Sequence, residues 1–175
     1  FFIRELYGLM LEARESLGAL VGAEAEDIAL VPNATAGVNT VLRSLEFQPN
    51  DEIIVTSHGY NACNNAAYFV AKRWGAKVIN VEIPFPIDGP HVVTEKVLSA
   101  VTTKTKFALL DHITSPTALI YPVNILVKEL EARHIPVMID GAHAPGMVSL
   151  NLDRLGASYY TGNCHKWLCT PKGSA

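Results

Sequence analysis

The chain has 175 residues, 49% of them hydrophobic and 18% charged, which is enough for one sizeable core and slightly drier than an average soluble domain. Its formal charge of -3 is too small to imply a polyanion partner, and no Lys/Arg block interleaved with aromatics points to nucleic acid. No apolar run approaches the ~18 residues of a membrane span, and Arg4, Glu5, Glu12, Arg14 and Glu15 near the start argue against a secretory leader, so a soluble cytoplasmic protein is expected.

Residues 2 to 20 place Leu6, Leu9, Ala13, Leu17 and Leu20 at three- and four-residue spacing with charges between, an amphipathic helix ending near Gly22. A strand is expected at Ile28 to Val31. Pro32 and Asn33 break it, and Asn33 or Thr35 can cap a helix whose apolar positions are Val38, Val41, Leu42 and Leu45. A strand at Glu52 to Thr56, a helix from about Asn61 to Trp74 and a strand at Lys77 to Glu82 follow. Pro84 to Val93 reads as a loop rich in Pro and Gly. A helix over Thr94 to Val101, a strand Lys106 to Asp111, a helix Val123 to Arg133, and strands Pro136 to Ile139 and Ala157 to Thr161 complete the map, with Pro171-Lys-Gly173 as a turn before another strand.

Strands alternating with helices predict an α/β domain: a three-layer, mostly parallel sheet with helices on both faces. Residues 1–175 read as one domain. The chain begins at Phe1 in what already looks helical and stops at Ala175 just after a turn, which suggests a piece of a longer polypeptide. Cys63, Cys164 and Cys169 are odd in number and form no Cys-x-x-Cys pair, so no disulfide framework is expected.

In an open α/β sheet ligands bind beyond the carboxyl ends of the strands. Five expected strand ends carry Asn33 to Gly37, Ser57 to Tyr60, Asp111 to Ser115, Asp140 to His143, and Asn163 to Lys166. The small residues Ala34, Thr35 and Ala36 at a helix start suit a phosphate, whose alternative is an ordinary N-cap. Gly-x-Gly-x-x-Gly and Gly-x-x-x-x-Gly-Lys-Ser/Thr are both missing, so NTPase and dinucleotide readings lack their signature. Asp140 follows a buried Val-Met-Ile run and needs a cationic or hydrogen-bonding partner, unless it merely caps the next turn. Lys166 is either a solvated charge or a half-buried amine able to attack a carbonyl. Tyr60 or His58 can lie against an aromatic ligand or serve as core. His112, Asp140 and His143 also suggest a rival, a metal-dependent hydrolase.

Taken together, Asp140-Gly-Ala-His143 and Thr161-Gly-Asn-Cys-His-Lys166-Trp, supported by Asn33-Ala-Thr-Ala-Gly37, Ser57-His-Gly-Tyr60 and His112-Ile-Thr-Ser-Pro-Thr-Ala118, resemble the class V aminotransferase family, which includes cysteine desulfurases and isopenicillin N epimerase-like proteins. The resemblance covers nearly the whole chain. It implies the large domain of a pyridoxal 5'-phosphate (PLP) dependent transferase fold, with Lys166 as the Schiff-base lysine and Asp140 as partner of the pyridinium nitrogen. It implies His143 and Ser115 near the phenolic oxygen, Ala34, Thr35, Ala36, Asn163 and His165 around the phosphate, and Tyr60, or His58, stacked on the ring. It further implies an amino-acid substrate, a homodimer, and a small domain beyond this chain holding the substrate-carboxylate arginine and any catalytic cysteine loop. Cys164 is not at that cysteine's position. Lyase or desulfurase, epimerase and transaminase chemistry all stay open, as does a catalytically silent cofactor domain.

Overall fold

A computed structural model describes residues 2–175. The helical start expected at Phe1 lies outside the described residues, and the segment 2–5 is a turn before helix α1, Leu6–Val21. In chain order there follow α2 (Ala34–Ser44), β1 (Glu52–Thr56), α3 (Asn61–Trp74), β2 (Lys77–Val81), α4 (Pro90–Ser99), β3 (Thr105–Asp111), α5 (Val123–Glu131), β4 (Val137–Gly141), α6 (Leu152–Leu155) and β5 (Tyr159–Gly162). The strands pair in parallel in the order β2-β1-β3-β4-β5.

Because side chains alternate across a strand, each central strand feeds two cores. Ile54, Ala108, Leu110, Val137 and Ile139 face Val93, Val97, Leu126 and Leu130 of α4 and α5. Ile53, Val55, Phe107, Leu109 and Met138 face Val38 and Leu42 of α2 and Cys63, Ala67 and Val70 of α3. The result is three layers with a parallel sheet between two helical layers, as the alternation of elements predicts.

The strand expected at Ile28 to Val31 is a correction: the segment does not join the sheet. Only Val31 pairs, exchanging two backbone hydrogen bonds of 3.0 Å with Ala175. A four-residue apolar run bounded by turn residues reads as a strand by composition, yet strand formation needs a partner ladder. Helix α4 starts earlier than Thr94 because Pro90 occupies its first turn, where its missing N–H costs nothing. Leu9 and Leu20 of α1 are exposed while Gly18 and Val21 are buried. Apolar residues surround most of that helix, so spacing alone does not select its inner face.

The order places a topological switch between β1 and β3, since β2 lies on one side of β1 and β3 on the other. The crevice outside the carboxyl ends of those strands is where ligands bind in such sheets, and it holds Tyr60 after β1 and Asp111 at the end of β3.

Candidate active site

At this crevice a cavity of about 450 Å³ is lined by Asn33, Thr35, Tyr60, Asp111, Ile113, Ser115, Asp140, Ala142, His143, Asn163, His165 and Lys166. Eight of these are residues singled out in the sequence: Thr35, Tyr60, Ser115, Asp140, His143, Asn163, His165 and Lys166. Five separate chain segments therefore meet at one space, the start of α2 and the ends of β1, β3, β4 and β5.

Lys166 lies in the turn after β5, half-buried, with its Nζ 2.9 Å from His143 Nε2. The indole N–H of Trp167 donates to His143 Nδ1 at 3.4 Å. A neutral imidazole that accepts at Nδ1 carries its proton at Nε2, so His143 donates to Lys166, and the amine accepts through its lone pair. That bond requires an uncharged lysine. Burial, opposed by the nearby Asp140 charge, lowers the pKa of Lys166 below its ordinary value, and burial followed by the lysine's own charge lowers that of His143. The lysine's shift favours its neutral form.

Asp140 is the penultimate residue of β4 and is buried. Its Oδ1 accepts the Ala142 N–H at 3.0 Å and its Oδ2 accepts the Cys63 thiol proton at 3.1 Å. Asp111, its register partner on β3, is buried as well. Among the described residues the one ion pair, Arg133 with Glu129, lies on the surface. Two buried carboxyls side by side without a cation raise the pKa of one of them; burial and then Asp140 push that of Asp111 well above the carboxylate range.

The native state keeps a proton on Asp111 that the unfolded chain has already released, so Asp111's contribution is fully present below its unfolded pKa and is lost as pH rises through the folded one. Urea unfolding of the cofactor-free protein at a series of pH values is therefore expected to show this loss, and Asp111→Asn to remove it. An unchanged pH profile in the variant would show that Asp111 ionises freely.

The start of α2 differs in detail from the expectation of three open amides. The Ala36 N–H donates to Asn33 Oδ1 and the Ala34 N–H to Asn163 Oδ1, both at 2.8 Å. Ala34 and Ala36 do not line the cavity, and the Thr35 N–H donates to no group among the described residues. Asn163 thus ties the end of β5 to α2, and Gly37 permits the approach: a Cβ there would stand 2.5 Å from Thr161 Oγ1. His165 Nδ1 donates to Ser174 O at 2.8 Å, so its Nε2 donates to an anion only as imidazolium.

His58 is turned away. Its Nδ1 meets Thr117 Oγ1 at 2.7 Å and its Nε2 meets Ile83 O at 2.9 Å, and only Tyr60, half-exposed, reaches the cavity. His112 also faces elsewhere, with Nδ1 2.9 Å from Tyr160 Oη. The metal-hydrolase reading needed His112 beside Asp140 and His143; among the described residues no three His, Cys, Asp or Glu side chains form such a cluster. Sequence reasoning did not nominate Cys63 or assign Asp111 a role. Asp111 had a visible signal, its place after an apolar run; Cys63 entered only the count of cysteines without a Cys-x-x-Cys pair.

The lysine turn rests on Gly146, whose φ is +87° and whose added Cβ would lie 2.7 Å from the backbone carbonyl of Trp167. Gly146→Ala is expected to cost about 1–3 kcal/mol of stability and to lower the melting temperature by roughly 5 °C in a thermal scan. An unshifted transition would mean that the Trp167 backbone moves aside freely.

The chain is 36% identical to isopenicillin N epimerase of Streptomyces clavuligerus over 173 residues, 99% of this chain and 44% of that protein. It is 32% identical to an L-cysteine desulfhydrase-like protein of Epichloe uncinata over 174 residues, 96% of this chain and 38% of that one. It therefore spans less than half the length of these relatives. Two solved structures of C-DES, one titled as a cystine C-S lyase with its product cysteine persulfide and one with glycine covalently linked to the PLP-cofactor, share the fold with a TM-score of 0.87 at 23% identity. They are covered to 46% and 45% by 98% of this chain. A cysteine desulfurase of Escherichia coli gives 0.84 at 22% identity, over 99% of this chain and 44% of its own. The pattern of the family Aminotransferase class-V matches residues 2–174, and the chain belongs to that family.

Proposed function

We propose that these residues form the cofactor-binding large domain of a PLP-dependent enzyme that acts on an amino acid at Cα or Cβ. The observation that carries this reading is the half-buried Lys166 amine, 2.9 Å from His143 Nε2, in a cavity that also holds the buried Asp140, which has no ion-pair partner among the described residues. The donor set fits PLP group by group. A buried carboxylate without a cation suits a protonated ring nitrogen, a neutral amine suits an aldehyde carbon, and the open N–H of Thr35 at the N-terminus of α2, with Asn163 and His165, suits a phosphate. Tyr60 and Ser115 line the remaining walls, at the proposed places for the ring face and the phenolic oxygen.

When bound, PLP supplies an electrophilic carbon and an electron sink for a bond broken at the substrate's α-carbon. Lys166 Nζ acts as nucleophile through the lone pair that His143 Nε2–H now engages. The same amine, when not bound to the cofactor, would be placed to take or return an α-proton of the substrate. Asp140 holds a proton on the ring nitrogen by its charge. The proposed catalytic residues are thus Lys166, Asp140 and His143.

Among named relatives, an epimerase and desulfhydrase-like proteins recur, which supports Cα/Cβ chemistry on an amino acid over transamination. The carboxylate-binding arginine is proposed to lie outside this chain, in a C-terminal small domain or across a homodimer interface, and a silent cofactor domain is the alternative until it is supplied. Adding PLP to the protein should generate a visible absorption band. Borohydride should then fix the cofactor to the peptide containing Lys166, as mass spectrometry reads it. A label on another lysine, or no band, would overturn the assignment. Product analysis with sulfur and non-sulfur amino acids then separates C–S cleavage from epimerisation.

A further inference from the structure

Cys63 sits in the first turn of α3, 2% exposed, with its Sγ 3.1 Å from Asp140 Oδ2. The thiol is the donor, because burial first and Asp140 next push its pKa far above the ordinary range. A polar contact therefore runs from the start of α3 to the acid at the proposed ring-nitrogen end of the cavity.

Asp140 is faced by Cys63 from α3, Asp111 from β3, Tyr160 from β5, and His143 and Lys166 from the turns after β4 and β5. Asp111 and Asp140 are register partners, 6% and 3% exposed. Two bare charges at that spacing in a dry site are unfavourable, so the pair holds one proton. Donors to a carboxylate favour its charged form, and they decide which member keeps the charge. Asp140 accepts two, from the Ala142 N–H and the Cys63 thiol, whereas the backbone N–H groups that favour a charged Asp111, of Tyr60 and itself, are outweighed by burial and by Asp140.

We propose that Cys63 is a positioning residue that keeps the single negative charge of the acid pair on Asp140 and holds that carboxylate at the cavity, leaving Asp111 as the neutral acid. Its cofactor arm rests on the PLP reading above, whereas its infrared arm does not. In the cofactor-free protein, the S–H stretching band removed by Cys63→Ala should lie below the free-thiol frequency and return toward it in Asp140→Asn. A buried carboxylic-acid band should vanish in Asp111→Asn. At equilibrium, Cys63→Ala should bind PLP roughly tenfold more weakly, the low end of what losing a partner of a ligating group costs, and Cys63→Ser should stay within about threefold of the parent because its hydroxyl still donates. The proposal is overturned if the S–H band ignores Asp140→Asn, or if Cys63→Ala binds PLP like the parent while Asp140→Asn binds it weakly. If Asp140→Asn itself binds PLP normally, the cofactor reading fails, and the infrared bands still decide where the charge resides.

Discussion

Lys166→Ala is expected to abolish covalent cofactor capture completely and to lower kcat by at least about 10⁴-fold, since one side chain supplies both the nucleophile and the base. Lys166 Nζ is hydrogen-bonded to a histidine whose other ring nitrogen is held by Trp167, so the amine's lone pair, rather than an ammonium proton, is already committed to the contact. Lys166→Arg separates this role from a structural one. It keeps a long cationic stem in the same turn but has no lone pair to offer, so it should lose capture as fully as the alanine variant. Titration of the visible band with PLP and kcat on the preferred amino acid are the measurements. A Lys166→Arg protein that still captures PLP covalently would move the nucleophile elsewhere.

What the sequence revealed tracks the range of the interaction concerned. The central strands were legible because Ile53 to Val55, Phe107 to Leu110 and Val137 to Ile139 are continuous apolar runs, and such runs are buried on both faces only in a parallel sheet. The end of α1 at Gly22 and of α3 at Gly75 was legible because a left-handed residue closes each helix. The strand ends nearest the lysine were legible because polar residues stand where apolar runs stop. Contacts between distant segments were not legible. Nothing local tells that Ile28 to Val31 lacks a ladder partner, that His58 is consumed by Thr117 and Ile83 while Tyr60 two residues on reaches the cavity, or that Asn163 spends its oxygen on Ala34. Cys63 was hidden for a further reason: a thiol packs as an apolar group, and its role as donor emerges only once β4 brings a carboxylate against it.

Asp140→Asn is expected to move activity and stability in opposite directions. In the cofactor-free protein this buried carboxylate has no ion-pair partner among the described residues and obliges the second carboxyl beside it on β3 to keep a proton, so folding carries desolvation and protonation costs that the amide does not. The Asn oxygen still accepts the Ala142 N–H, while Cys63 loses a strong acceptor for its thiol proton. The balance favours a cofactor-free variant as stable as the parent or more stable by about 1 kcal/mol, read by urea unfolding. With PLP and substrate the sign reverses. An amide holds no proton on the ring nitrogen, and losing a group aimed at developing charge costs on the order of 10²- to 10³-fold in kcat. Asp140→Glu keeps the charge but lengthens the stem, so it should recover part of the rate without the gain in stability. If Asp140→Asn turned over within about tenfold of the parent, the carboxylate would be an element of the fold rather than of the chemistry, and the ring nitrogen would need another partner.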